Sequence, residues 1–512
     1  MVTEKERSLV LQVIDENYLD VDGIVEEVAR EEVLLSSVQG VTEDPADVGT
    51  ISREIRDMRL LQCKARGSVE HGRHSSRIDW IPSRTTSSIT RQNVNEILDS
   101  AGNRGQRKIK IGKSGRASSF SVTAESLDGR ITIITGRKES GKSHLAKMMV
   151  RGLLEHGAYC IVFDLNDEYG SIVLCGDGTK TPIADRVAVR KPARDMKFGL
   201  AGAGVRSLTS LLQHSLEMPG TTVREFMRIW DAMESRHEIS MESLGNYIQT
   251  WRCNEFVRDA LNARYYTLSN SGLFSDSERA FALAEFFETH PAGGALVISL
   301  SRVSPLNRKM TVELILSKLV ELLEQKVIPP VFLLSEEAHL YLRETYWEDL
   351  ITRMRHFGVF TTFVTNQPDA IKQEIYRQAD NIFLYNFSNE ADLNLVAQAS
   401  MVDTDTVRSI VRTLPPRMCL VLGHAVNNLP VVVAVDEFDA PPSGITRRFF
   451  DQKWSRSQQA ETVAQQQQQQ QPAPRQNLPF WDESPRGDRP SARPASPTPS
   501  VEDPPAPRPL SK

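Results

Sequence analysis

The segment ITIITGRKESGKS, residues 131–143, constrains the fold of this chain more than any other feature. It joins a short apolar run to the pattern G-x-x-x-x-G-K-S, and Leu145, Met149 and Leu153 then lie on one face of the helix that follows. A turn of this kind directs several backbone N–H groups into one concave surface that binds phosphate. An ordinary glycine-containing turn is the alternative, and the flanking strand and helix argue against it. The segment therefore predicts a phosphate-binding loop in an α/β fold.

The residues of this loop have separate expected roles. Gly136 and Gly141 permit the tight backbone path, and Lys142 can reach the β and γ phosphates. The Ser143 hydroxyl is expected to join the coordination shell of Mg²⁺. The loop predicts ATP and Mg²⁺ as ligands, and the predicted nucleotide-binding residues are Gly136, Arg137, Lys138, Glu139, Ser140, Gly141, Lys142, Ser143 and His144.

Length and composition are those of a soluble globular protein with appendages. The 512 residues allow two or three domains, and 40% apolar content supports a sizeable core. No window has the roughly eighteen uninterrupted apolar residues of a membrane span, and the segment MVTEKERS does not resemble a signal peptide. The five scattered cysteines, none in C-x-x-C spacing, argue against a disulfide framework and a zinc site. We expect a cytoplasmic protein without membrane contact, and the net charge of −5 does not decide whether it binds nucleic acid.

Residues 1–84 predict a winged-helix-like domain, with three helices followed by a hairpin. The first helical face is Leu9, Val10, Val13 and Ile14, the second begins at Ile24, and the third lies in TISREIRDMRL, residues 50–60. The strands of the hairpin are CKARGSVEH and RIDWIP. A DNA-binding winged helix would use the cations of the third helix and of the hairpin, which are Arg53, Arg56, Arg59, Lys64, Arg66, Arg73 and Arg77. A small helical docking domain with solvated arginines is the alternative.

A linker is predicted over residues 85–105, an ATPase domain over 106–450, and a disordered Gln- and Pro-rich tail over 451–512. Apolar strands that alternate with helices predict a parallel sheet covered on both faces. A helical insertion is predicted at about residues 204–289. The predicted strands after the phosphate loop are Tyr159–Asp164, Leu296–Leu300, Val331–Ser335, Phe360–Thr365, Ile382–Asn386, Met418–Leu422 and Val431–Val435.

The segment PPVFLLSEEAH, residues 329–339, is an apolar strand that ends in two acids. This is the form of a Walker B segment, in which Glu336 would lie beside Mg²⁺ and Glu337 would orient the attacking water as a general base. An exposed acidic pair at a strand end is the alternative. Glu occupies the first acidic position, where such sites usually have Asp, so the metal-bound water is expected to shift slightly.

Further polar residues follow neighbouring strands. Asp164, at the end of the strand after the loop helix, could contact metal-bound water or a neighbouring subunit. Asn366 follows a later strand and could sense the γ-phosphate. Arg353 and Arg355 lie on a helix that ends near Gly358, where an arginine could neutralise transition-state charge in a neighbouring subunit. Ordinary helix-surface salt bridges are the alternative for both arginines.

Six segments in this order resemble the HerA/FtsK superfamily, and HerA-like ATPases most closely, over residues 106–436: GRKESGKS, FDLNDEYG, LLSEEAH, RMRHFGV, FVTNQPDAI and LVLGHAVNNLPVVVAV. The resemblance implies a RecA-like P-loop NTPase fold in a hexameric ring that translocates double-stranded DNA through its pore, often beside a nuclease such as NurA. It also implies that Lys142, Ser143, Glu336 and Glu337 form the nucleotide site and that Arg355 is the trans-acting finger.

Three features depart from that family. Glu139 lies where a glycine is common, Asn366 lies where a glutamine sensor is common, and a winged helix is expected in place of the usual small N-terminal β-barrel. Without the usual barrel, the prediction of a nuclease partner is weaker. The sequence therefore predicts an ATP-driven DNA translocase or helicase. An ATP-switched winged-helix DNA-binding regulator, or a scaffold with little turnover, is the alternative.

Overall fold

The computed structural model describes residues 1–18, 59–83, 85–100, 105–115, 118–277, 280–341, 354–387, 389–399 and 402–441. The strands are β1 Val2–Glu4, β2 Arg7–Tyr18, β3 Arg59–Glu70, β4 Arg73–Ser75, β5 Ser88–Ile89, β6 Lys108–Ser114, β7 Ser118–Thr123, β8 Thr132–Thr135, β9 Tyr159–Asp164, β10 Val187–Arg190, β11 Gly294–Ser299, β12 Val331–Glu336, β13 Val359–Thr365, β14 Asn381–Leu384, β15 Met418–Gly423 and β16 Val431–Val435. The α-helices are α1 Val94–Ser100, α2 Lys142–Glu155, α3 Leu200–Ser210, α4 Gly220–Ser235, α5 Met241–Thr250, α6 Glu255–Asn270, α7 Leu283–Thr289, α8 Pro305–Glu324, α9 Arg355–Phe357, α10 Gln373–Gln378, α11 Glu390–Ala399 and α12 Thr404–Thr413.

Eleven of these strands form one mixed sheet in the order β10-β11-β9-β12-β13-β8-β14-β15-β16-β6-β7. The strands from β10 to β14 are parallel, so their carboxyl ends meet at one edge. The register aligns Ser299 with Asp164, Glu336 with Val364 and Thr365 with Thr135. This carboxyl edge is where open parallel sheets bind ligands.

Helices cover the two faces of the sheet with separate apolar clusters. On one face α2 packs through Leu145, Met149 and Leu153, which are buried. On the other face α8 packs with the helices α3 to α7, and its residues from Met310 to Leu316 are almost all buried. Each fully buried leucine or isoleucine contributes roughly 1.5–3 kcal/mol, so both layers fix the position of the carboxyl edge.

The mixed α/β fold with a large central sheet confirms the α/β part of the predicted fold class, and helices α3 to α7 occupy the region where a helical insertion was predicted. The prediction of an entirely parallel sheet was wrong, because β15, β16, β6 and β7 pair antiparallel. The predicted linker region, residues 85–105, contains β5 and the helix α1, whose Leu98 is buried. Within the described residues, no helix has the length and apolarity needed to span a membrane.

The N-terminal residues form an antiparallel sheet in the order β4-β3-β2-β1-β5, although the first of the three predicted helices lies in this region. The predicted helical face from Leu9 to Ile14 lies on β2, which pairs with β3 along most of its length. The β-branched residues of this segment favour a strand, and strand pairing overrides the helical spacing. Residues 77–82, the predicted second strand of the hairpin, are not a strand. A winged helix is therefore not confirmed.

The cations predicted to bind DNA in this region are placed differently. Arg59 lies on β3, and Lys64 and Arg66 form ion pairs with Asp403 at the start of α12. Arg66 also donates to the Thr406 hydroxyl at 3.1 Å. Three predicted segments lie outside the described residues: the second helix, residues 50–58 of the third helix with Arg53 and Arg56, and the C-terminal tail. Lys64 and Arg66, which were predicted to contact DNA, thus contact α12 of their own chain, and this argues against DNA binding by the predicted hairpin.

Asn381 is fully buried at the start of β14, and its side chain connects this strand to the segments that follow β7 and β15. Its Nδ2 donates to the Ser126 carbonyl at 2.9 Å, and its Oδ1 accepts from the Ala425 N–H at 2.7 Å. We expect Asn381→Ala to lower the free energy of unfolding by about 2–3 kcal/mol, because two buried backbone groups lose their partners. Urea unfolding measures this change. The exposed Asn246→Ala is the matched control, and an equal effect in both variants would contradict the prediction.

Candidate functional site

The phosphate-binding loop lies between β8 and α2, and two of its glycines are required by its backbone. A Cβ on Gly136 would lie 2.5 Å from the Cβ of Tyr385, and Gly136 has a φ of 149°. Gly141 has a φ of 110°, and its carbonyl accepts from the Tyr385 hydroxyl at 3.2 Å. Side chains other than glycine would be displaced or strained at both positions.

Residues near the ends of β14 and β15 hold the other side of the loop. The Arg137 N–H donates to the Asn386 carbonyl at 3.0 Å, and the Arg417 N–H donates to the Ser140 carbonyl at 2.9 Å. His144 accepts from the Phe438 N–H through Nδ1 at 3.1 Å, and burial lowers its pKa. A neutral His144 therefore carries its proton on Nε2. The sequence pattern did not indicate these supporting residues, which lie far along the chain.

Lys142 is 6% exposed and lies inside the loop. Its Nζ donates to the carbonyls of Gly136 at 2.9 Å and of Arg137 at 2.7 Å. Burial lowers its pKa to about 8, against the opposing effect of Glu337. The ammonium is thus held at the loop, where a bound phosphate would stabilise its charged form.

Glu139, where the family commonly has glycine, is exposed and has a φ of 60°. The left-handed conformation costs a residue with a Cβ about 1 kcal/mol or more. We expect Glu139→Gly to be about 1 kcal/mol more stable than Glu139→Ala. Both variants lose the same carboxylate, so urea unfolding of the pair isolates the backbone effect. Equal stability, or a more stable alanine variant, would contradict the prediction.

Glu337 follows β12 and is held at the carboxyl edge by the residues after β13. Its carboxylate accepts from Asn366 Nδ2 at 2.6 Å, the Asn366 N–H at 3.1 Å and Thr365 Oγ1 at 3.0 Å. The Glu337 N–H donates to the Val364 carbonyl at 2.8 Å. Asn366 therefore orients Glu337 in this structure. The sequence did not predict this contact, and γ-phosphate sensing by Asn366 stays a prediction.

Glu336, the last residue of β12, is 2% exposed. Its Oε1 accepts from the Tyr169 hydroxyl at 3.1 Å, while Oε2 is buried without a hydrogen-bond partner in the described part of the chain. Burial, reinforced by Glu168 and Asp164, raises the pKa of Glu336 well above its usual value. A nearby cation would favour the ionised form, so the orphaned oxygen fits the predicted role beside Mg²⁺.

Asp164 caps the turn that follows β9. Its carboxylate accepts from the backbone N–H groups of Asn166 at 3.2 Å, Glu168 at 3.0 Å and Tyr169 at 2.9 Å. Glu168 forms an ion pair with Lys147 of α2 at 3.3 Å. Asp164 thus shapes the acidic side of the site, and its role in metal binding stays a prediction.

A metal site built from protein carboxylates alone is not present in the described ranges, where no group of three or more His, Cys, Asp or Glu residues could hold a metal ion. Mg²⁺ in nucleotide sites is held by one or two protein ligands, waters and phosphate oxygens. Ser143 at the start of α2 and Glu336 provide a donor set of that kind.

Arg355 lies at the opposite edge of the sheet, where the parallel strands begin. Its guanidinium is 3.5 Å from the Asp380 carboxylate, which also contacts Arg130 at 3.2 Å and accepts from the Ile131 N–H at 2.9 Å. Strand β13 follows Arg355, and its seven residues span roughly 20 Å. Arg355 therefore lies far from its own phosphate-binding loop. Arg353 is outside the described residues.

A glycine-rich loop at the carboxyl edge of a parallel sheet, with two acids on a nearby strand, defines a P-loop ATPase. Residues 134–319 match the family model described as helicase HerA, central domain. The chain is a P-loop ATPase that is similar to HerA helicases over these residues.

Two curated proteins and one solved structure are similar to this chain. The DNA double-strand break repair helicase HerA of Saccharolobus solfataricus is 25% identical over 142 residues, 26% of this chain and 28% of that protein. A probable helicase of Methanocaldococcus jannaschii is 21% identical over 371 residues, 68% of this chain and 70% of that protein. The bacterial conjugative coupling protein TrwB has a TM-score of 0.48 at 13% identity, covering 67% of this chain and 92% of that chain.

Proposed function

We propose that the chain is an ATP-dependent double-stranded DNA translocase or helicase of the HerA type, which hydrolyses ATP at the subunit interfaces of a ring. One observation carries the proposal. Glu337 and Lys142 lie at the carboxyl edge, whereas Arg355 lies at the opposite edge with β13 between them. This separation supports a hydrolytic site that is completed by the arginine of a second subunit.

The nucleotide is bound by the loop residues 136–144, with Lys142 at the β and γ phosphates. The Ser143 hydroxyl and Glu336 would hold Mg²⁺, which neutralises phosphate charge when bound. Glu337 orients the attacking water and accepts its proton as a general base. Asn366 positions the Glu337 carboxylate through the 2.6 Å amide contact, so the base is aligned before the substrate arrives.

DNA is the proposed substrate because both curated relatives are named as helicases, one of them for DNA double-strand break repair. A homo-hexamer and a cytoplasmic location are part of the proposal. A nuclease or other DNA-processing partner is also proposed. The doubt about this partner rested on a winged helix at this end of the chain, and the described residues there form an antiparallel sheet instead.

The test is ATP hydrolysis with and without long double-stranded DNA, at equal protein concentration. We expect DNA to raise turnover several-fold and Lys142→Ala to remove it, because the loop then lacks its phosphate-binding cation. Bound fluorescent nucleotide is measured in parallel. Turnover that stays near background and indifferent to DNA, with nucleotide still bound, would instead support the ATP-switched regulator or scaffold.

A further inference from the structure

Four exposed cations follow the neighbouring strands β10 and β11, outside the nucleotide site. Lys191, Arg194 and Lys197 belong to the segment after β10, and Arg302 follows β11. We call these four residues the basic edge surface. Within the described part of the chain none of their side chains forms a hydrogen bond or an ion pair within 4 Å, and the Asp167 carboxylate lies near enough to Lys191 and Arg302 to interact with both charges. By contrast, Arg206, Lys318 and Arg412 each pair with a glutamate.

The strand register places this surface at the same carboxyl edge as the nucleotide site. Arg190 pairs with Ile298, so Lys191 lies level with Ser299, which in turn pairs with Asp164 at the end of β9. Strand β12, which carries Glu336, is the next neighbour of β9. Adjacent strands are about 4.8 Å apart, so the surface begins roughly 15 Å from Glu336.

Local hydrogen bonds hold the basic edge surface in shape. Asp195 accepts from the Lys191 N–H at 2.5 Å and closes the turn after β10. Arg308 of α8 donates to the carbonyls of Leu300 at 2.9 Å and Ser301 at 3.3 Å, which fixes the loop before Arg302. Helix α8 begins at Pro305, and the positive end of its dipole adds to the local potential.

One turn connects this surface to the nucleotide site. Residues 164–169 contact both: Asp167 accepts from the hydroxyls of Ser299 and Ser301, which flank the β11 end of the surface. On its other side, Glu168 pairs with Lys147 of α2 and the Tyr169 hydroxyl donates to Glu336. A chain of direct contacts therefore connects Glu336 to the loop that carries Arg302.

We propose that the basic edge surface binds the phosphate backbone of double-stranded DNA, and that the 164–169 turn couples this contact to ATP hydrolysis. The inference rests on the proposed function and adds the chain's own DNA-contacting residues. Exposed cations on a fixed backbone can neutralise phosphates without base specificity. A motor that moves along any sequence requires a contact of this kind.

The test compares wild type with the fourfold variant Lys191→Gln, Arg194→Gln, Lys197→Gln and Arg302→Gln in the full-length chain. Binding to a labelled DNA duplex is measured by anisotropy from 0.05 to 0.2 M salt, with a single strand of equal length in parallel. We expect at least tenfold weaker duplex binding at 0.1 M salt and a salt slope smaller by about 3.6 to 4. DNA-independent hydrolysis and fluorescent-nucleotide binding are expected to stay unchanged, which also reports a folded protein.

The matched control removes four exposed cations elsewhere, by Lys108→Gln, Lys113→Gln, Lys326→Gln and Arg377→Gln. Duplex binding of the basic-edge variant that equals wild type or this control would overturn the inference, as would a loss confined to single strands. Wild-type protein that neither binds DNA nor responds to it would instead contradict the proposed function. The two failures are thus distinguishable.

Discussion

Glu337→Gln is expected to reduce ATP hydrolysis by at least two orders of magnitude while nucleotide binding stays within about twofold. General base catalysis contributes roughly 10²–10⁴ in rate, and an amide cannot accept the proton of the attacking water. Glutamine has nearly the same size, and its Oε1 can still accept from Thr365 Oγ1 or the Asn366 N–H. The geometry of the loop that binds the phosphates is therefore preserved.

Single-turnover hydrolysis and fluorescent-nucleotide binding measure the two quantities separately. Glu374→Gln, on the exposed surface of α10, is the matched control and is expected to behave as wild type. Full hydrolysis by Glu337→Gln would show that another group activates the water. A combined loss of hydrolysis and binding would place Glu337 in nucleotide binding instead of in catalysis.

The sequence was sufficient for those parts of the fold and site that depend on contiguous residues. The strands Tyr159–Asp164 and Val431–Val435 were predicted to the residue, because buried strands are uninterrupted apolar runs. The phosphate loop and the acids after β12 were found for the same reason. In each case one short segment carries both the strand and the polar residues at its end.

The rest depends on pairing between distant segments. The spacing of Leu9, Val10, Val13 and Ile14 fits a helix face, and only its pairing with β3 decides for a strand. The contact between Asn366 and Glu337 requires β12 and β13 to be adjacent and in register. The basic edge surface was missed because Lys191 and Arg302 are brought together only by the parallel pairing of β10 with β11.

Arg355→Ala is expected to lower DNA-stimulated hydrolysis by about 10³ or more without weakening nucleotide binding. An arginine supplied by a neighbouring subunit stabilises charge on the departing phosphoryl group and contributes that much where it acts. Arg355 is also paired with Asp380, so a general disturbance of this ion pair must be separated from catalysis. Arg130→Ala is the matched control, because Arg130 contacts the same carboxylate at 3.2 Å.

Mixing two inactive variants tests whether Arg355 acts between subunits. In a mixed ring, an Arg355→Ala subunit supplies an intact Glu337 site, and an adjacent Glu337→Gln subunit supplies an intact arginine. Interfaces in that order are complete, so we expect hydrolysis to return above the level of either variant alone. If the mixture stays inactive although native mass spectrometry shows mixed rings, Arg355 does not act on its neighbour. Recovery also requires a head-to-tail ring, in which each subunit presents its arginine face to the nucleotide site of the next subunit.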